Sequence, residues 1–130
     1  MKDRYLFRGK RTDNGEWVYG LLGRYNADYE NANIIDEFEC LVPVKTETVG
    51  QYTGLTDKNG KMIFEGDVVA GSLIWQEKRK NGLVAFKDGS FGLIWYRGGV
   101  EQFNAFTSMC NVEYEIIGNI YDNPDLLKGE

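Results

Sequence analysis

A chain of 130 residues, 42% hydrophobic and 27% charged, is long enough for one domain with its own core and short for two. Its 15 basic and 20 acidic residues leave a net charge of −5, which argues against a protein that coats nucleic acid. It contains no histidine, which excludes the commonest general base, the commonest metal ligand and every serine–histidine or cysteine–histidine nucleophile pair.

The opening stretch "MKDRYLFRGKRTDNGEW" lacks the apolar run of a secretory leader, and no window approaches the roughly 18 apolar residues of a membrane helix. A cytoplasmic location with no membrane contact is expected. Short runs rich in Val, Ile, Tyr, Phe and Trp read as strands: Tyr5–Arg8, Glu16–Arg24, Cys40–Val44, Val49–Thr53, Asp67–Gln76, Leu83–Lys87, Phe91–Arg97 and Val112–Tyr121. Between them stand Asn14-Gly15, Asn59-Gly60, Asn81-Gly82, Asp88-Gly89 and Gly98-Gly99, each able to supply the positive φ angles of a tight hairpin. "NADYENANIIDEFE" (Asn26–Glu39) is acidic and lacks alternation, so a long loop is expected there. In the last strand Val112, Tyr114 and Ile116 alternate with Glu113 and Glu115, after which both faces turn apolar, pointing to fuller burial or another chain. "DNPDLLKGE" fits either one turn of helix, with Asn123 as cap, Pro124 first and Gly129 past the end, or a loose tail. The prediction is a single all-β domain over 1–130: a small barrel or barrel-like sandwich of short antiparallel strands joined by Asn-Gly and Asp-Gly hairpins, with at most a short C-terminal helical turn.

Candidate chemistry is sparse. "TVGQYTGLTDKNGKMIFEGDVV" (Thr48–Val69) is dense in turn residues and also carries Asp57, Glu65 and Asp67. As a calcium loop it fails, because Gly60 arrives too early and Lys61 takes the fifth position. The turn reading therefore stands ahead of a carboxylate cluster for metal or acid–base work. "GLLG" (Gly20–Gly23) lacks the following lysine of a phosphate loop. Carboxylate-only catalysis stays formally open, but no pair stands out from the 20 acids. Cys40 and Cys110 are too few for a disulfide framework or zinc site and read as buried hydrophobes. No catalytic, cofactor-binding or metal residue is assigned, and no cofactor is expected.

Two stretches are candidates for binding. "FGLIWYRGGVEQFNAF" (Phe91–Phe106) offers Phe91, Trp95, Tyr96, Phe103 and Phe106 either to the core or to a partner or oligomer contact. "WQEKRKNG" (Trp75–Gly82) places Lys78, Arg79 and Lys80 near Trp75 at a hairpin tip, either as a phosphate contact with a stacking platform or as a solvated turn.

The segments "FRGK" (Phe7–Lys10), "WVYG" (Trp17–Gly20), Thr48–Val69, "LVAFKDG" (Leu83–Gly89) and "EIIGNIYDNPDLL" (Glu115–Leu127) together resemble the YopX protein family, small proteins encoded by bacteriophages and prophages. Leu21–Glu39 and Arg97–Asn111 carry no part of the likeness. The resemblance implies an all-β, barrel-like fold, homo-oligomerisation and a phage or prophage origin in a bacterial cytoplasm. It supplies no catalytic residues and no cofactor. The functional expectation is a non-enzymatic accessory protein acting through self-association and protein–protein contacts. The alternatives are a nucleic-acid-associated module using the basic hairpin, and an acidic decoy imitating DNA towards a host protein.

Overall fold

The computed structural model describes residues 5–23, 31–72, 79–108 and 113–127. Its strands are β1 (Phe7–Lys10), β2 (Trp17–Leu22), β3 (Asn31–Ile35), β4 (Leu41–Lys45), β5 (Gly50–Thr56), β6 (Met62–Phe64), β7 (Asp67–Ser72), β8 (Arg79–Lys87), β9 (Ser90–Arg97), β10 (Val100–Ala105) and β11 (Tyr114–Asn119). The only helical pieces among the described residues are 3-10 turns at Thr46–Thr48, Phe106–Ser108 and Pro124–Leu127. One sheet has the order β4-β3-β2-β1-β5-β6 and the other β10-β9-β8-β7-β11. The fold is all-β with open sheets, so the expectation holds in that form and not as a closed barrel. The chain divides into two compact units, Met1–Gly54 and Leu55–Glu130.

In the first unit, alternation along β1 to β4 sends Phe7, Val18, Ala32, Ile34 and Val44 to one face, where they pack with Val49. Two glycines permit the close approach: a Cβ on Gly9 would meet Val44, and one on Gly20 would lie 1.9 Å from the Ile35 carbonyl oxygen. Arg11 bridges Val44, and the Thr12 N–H donates to the Pro43 carbonyl at 3.1 Å, bringing β4 back to the end of β1. That contact is a bridge and not a ladder, so the curl stops short of closure. Thr48 Oγ1 accepts from the Lys10 N–H at 2.9 Å and donates to the Lys45 carbonyl at 2.6 Å. A side-chain hydroxyl thus satisfies backbone groups that no strand reaches.

In the second unit Ile63, Val69, Val84 and Leu93 form the core, with Phe106, Tyr114 and Ile116 packed on it. The β8–β9 and β9–β10 connections are two-residue turns, closing Lys87 onto Ser90 and Arg97 onto Val100. Asp88 and Gly89 have φ 53° and 81°, and Gly98 and Gly99 58° and 80°, the paired left-handed conformations such hairpins need. Four of the five anticipated turn dipeptides therefore sit at bends; Asn81-Gly82 does not. It lies inside β8, with Gly82 opposite Val69 and Asn81 opposite Ala70. Ser72 pairs with Arg79, and the residues between them lie outside the described ones.

Three strands lie outside the sequence expectation. β3 occupies part of the stretch read as a loop, while β6 and β10 were not anticipated. In β11 the register with β7 slips between Ile116 and Gly118, leaving Ile117 as an extra, exposed residue. The bulge leaves Ile117 exposed, so the apolar run after Ile116 is not buried on both faces. The C-terminal turn starts at Pro124 as anticipated, but Asn123 Oδ1 accepts from the Asn119 N–H at 3.3 Å, behind the turn and not within it. Gly129 lies outside the described residues.

Candidate interaction surfaces

The corner at Asp57 answers the choice between turn and carboxylate cluster. Asp57 Oδ1 accepts from the Asn59 and Lys61 N–H groups at 2.8 and 2.9 Å, and Oδ2 accepts from the Ile116 N–H at 3.1 Å. The Lys58 N–H donates to the Tyr114 carbonyl at 2.9 Å, and Lys58 Nζ pairs with Glu115 at 2.8 Å. The loop therefore grips the outer edge of β11. Burial pushes the Asp57 pKa up, but the backbone bonds from Ile116, Lys61 and Asn59 outweigh it and hold the carboxyl below its ordinary value. Asp67, also buried, accepts from the Phe64 N–H at 2.8 Å and so closes the turn through Glu65-Gly66. Among the described residues, no group of three or more His, Cys, Asp and Glu side chains is placed to hold a metal ion.

The aromatic candidates separate. Trp95 is buried on the core face, and its Nε1–H donates to Asn104 Oδ1 at 2.6 Å. Phe106 is half-buried against the core and meets Tyr114 edge-on at 5.4 Å. Burial pushes the Tyr114 hydroxyl up to about 12. Phe91, Tyr96 and Phe103 are half-exposed. Lys87 Nζ lies 5.9 Å from the Phe103 ring centre and pairs with Glu101 at 3.2 Å. Phe91 meets Phe86 edge-on at 5.0 Å, and Phe86 is 55% exposed beside the β8–β9 turn. Phe86 was missed as a site residue because it alternates like any core residue of its strand.

Trp75 and Lys78 of the basic candidate lie outside the described residues. Arg79 and Lys80 are the first residues of β8, paired with Ser72 and Gly71, and so belong to the strand and not the tip. Cys40 is exposed, which corrects its reading as a buried hydrophobe; Cys110 lies outside the described residues.

A second cationic–aromatic group stands on the first sheet. Register places Arg8 opposite Tyr19 and Lys10 opposite Trp17. The Arg8 guanidinium carbon lies 4.4 Å from the Trp17 ring centre and Lys10 Nζ 5.6 Å from it. Arg8 is buried, so this stacking ties β1 to β2 as much as it offers charge.

The sequence reading also missed the β3–β4 connection. Asp36 Oδ1 accepts from the Phe38 and Cys40 N–H groups, both at 2.9 Å, and Glu39 stands at φ 63°. Phe38 is 76% exposed, more than any other large hydrophobic among the described residues.

The model of the YopX protein family matches residues 6–128. The chain belongs to the YopX family. Its fold is similar to that of protein yopX from Bacillus subtilis, with a TM-score of 0.59 at 20% identity over 96% of this chain and 99% of that one. It is also similar to protein EF1440 from Enterococcus faecalis, with a TM-score of 0.57 at 26% identity over 94% and 96% of the two chains. No curated protein matches the chain. Among the described residues of this YopX-family chain, no helix is long and apolar enough to cross a membrane.

Proposed function

We propose that this YopX-family chain is a non-enzymatic accessory protein of phage or prophage origin that works in the bacterial cytoplasm through self-association and contacts with other proteins. The observation that carries the proposal is Phe86, 55% exposed and stacked edge-on against Phe91 at the end of the second sheet. Alternation puts Phe86, Phe91, Val84 and Leu93 on one face, so the apolar row of the core continues past its covered part. β10, with exposed Val100, is the last strand of that sheet and lies next to the same face. Exposed apolar rows at a sheet end serve as association surfaces. The lack of histidine, and the use of Asp57 and Asp67 in holding their own turns, support the non-enzymatic part.

Light scattering across a dilution series tests the self-association. The expected result is a mass above that of one chain which falls on dilution, with Phe86→Ser shifting the dissociation to higher concentration by roughly tenfold or more. A single-chain mass at every concentration defeats the proposal.

A further inference from the structure

We propose that the β3–β4 tip and the adjoining face of the first sheet form a docking site for a segment of another protein that carries Lys or Arg interleaved with bulky apolar side chains. Leu21, Ile35 and Leu41 face one another across β2, β3 and β4 in register, forming an apolar row on the side opposite the core. Leu41 is 56% exposed, and its Cδ2 leans over Gly23, where a Cβ would stand 3.2 Å away. Tyr19, two residues before Leu21 on the same face, is also exposed. The row runs to the tip, where Phe38 stands 76% exposed.

The tip is pre-shaped. Besides the two bonds to Asp36 Oδ1, the Glu39 N–H donates to the Asp36 carbonyl and the Asp36 N–H to the Cys40 carbonyl, each at 3.0 Å. A segment held this firmly loses little freedom when it binds.

Charge selects the occupant. Glu37 and Glu39 flank Phe38 and are exposed. On the same face Lys45 lies at the other end of β4, and Arg8 and Lys10 are stacked on Trp17 of β2, while the nearby Arg11 is paired with Asp13 at 2.9 Å. Nucleic acid and anionic lipid are repelled by such a tip. A purely apolar partner would cover the carboxylates without replacing their water. A second copy brings its own excess of acid, with net charge −5. A basic, apolar segment satisfies both the carboxylates and the Phe38–Leu41 surface. This site does not depend on Phe86, which lies in the other unit, so either proposal can fail without the other.

Fluorescence anisotropy with a labelled synthetic peptide of alternating Lys and Leu provides the test, with Lys–Ser and Glu–Leu peptides as comparisons. The expected result is saturable binding of the Lys–Leu peptide alone, weakened roughly tenfold or more by Phe38→Ser, and weakened by Glu37→Gln with Glu39→Gln and by added salt. Leu41→Asn, on the same exposed row, serves as the second apolar variant, and thermal unfolding shows whether each variant is folded. The proposal is overturned if the Lys–Leu peptide does not bind or if Lys–Ser binds as tightly. Binding that is indifferent to both Phe38→Ser and Leu41→Asn also overturns it, as does loss of self-association in those variants without any peptide binding.

Discussion

Asp57 ties a local bend to a strand 59 residues further along the chain. Both carboxylate oxygens accept backbone N–H groups in a buried position, so removing the side chain strands three donors that water reaches poorly. Asp57→Ala is expected to cost about 2–4 kcal/mol, and Asp57→Asn less, since the amide keeps one acceptor but turns an N–H toward one of the donors. The pH dependence follows from the depressed carboxyl. Its folded pKa lies below its unfolded value, so its contribution is full above the ordinary aspartate pKa of about 4 and is lost as pH falls through the folded value. Urea unfolding of wild type and Asp57→Asn should therefore give a stability gap that is constant near neutrality and narrows below about pH 4. A gap that does not change with acid would refute this role.

At the scale of elements, a polar residue on a core-facing position defeats a reading by alternation. β10 carries Gln102 and Asn104 on the same face as Trp95 and Leu93, and Asn104 is there to accept from the Trp95 ring N–H. No apolar period announces such a strand. β6 has three residues between two turns, too few for any period. β3 alternates only over Asn31 to Ile34, and Ile35 then falls on the face opposite Ala32 and Ile34, so its period is too short to mark it. Asn81-Gly82 misleads in the other direction. Asn81 Nδ2 donates to the Leu126 carbonyl at 2.8 Å, and Gly82 leaves room for Leu93, so both are chosen by packing and not by a bend. The turn residues that need positive φ, and the apolar runs between them, were legible because their requirements are local. Phe38 was not, because a lone aromatic among acids has no period to mark it. These two uses of glycine predict different costs. Gly89→Ala adds a methyl in open space and loses only the left-handed preference, about 1 kcal/mol. Gly20→Ala drives a methyl into the Ile35 carbonyl and should cost about 3 kcal/mol or more. Thermal midpoints should fall in that order, and equal losses would show that β2 and β3 do not approach as closely as described.

For the whole molecule, the rival to protein contact is a nucleic-acid role through Trp75, Lys78, Arg79 and Lys80. The summed charge opposes it: at −5 the field repels a polyanion before any local patch is felt. Several described cations are also engaged, Arg11 with Asp13, Lys58 with Glu115 and Lys87 with Glu101. Three phosphate contacts would give a salt slope of about −2 on a single strand, against the steeper slopes of proteins built for the purpose. Titration of a labelled single-stranded oligonucleotide at about 0.15 M salt, inside the screening regime of the cell, is therefore expected to show no saturable binding. Replacing Lys78, Arg79 and Lys80 together by alanine should leave that result unchanged while light scattering still reports self-association. The opposite pattern would be saturable binding with a slope near −2 that disappears in the triple variant. It would mean that a patch of three cations overcomes the field of the whole chain, and the accessory-protein reading would give way to a nucleic-acid one.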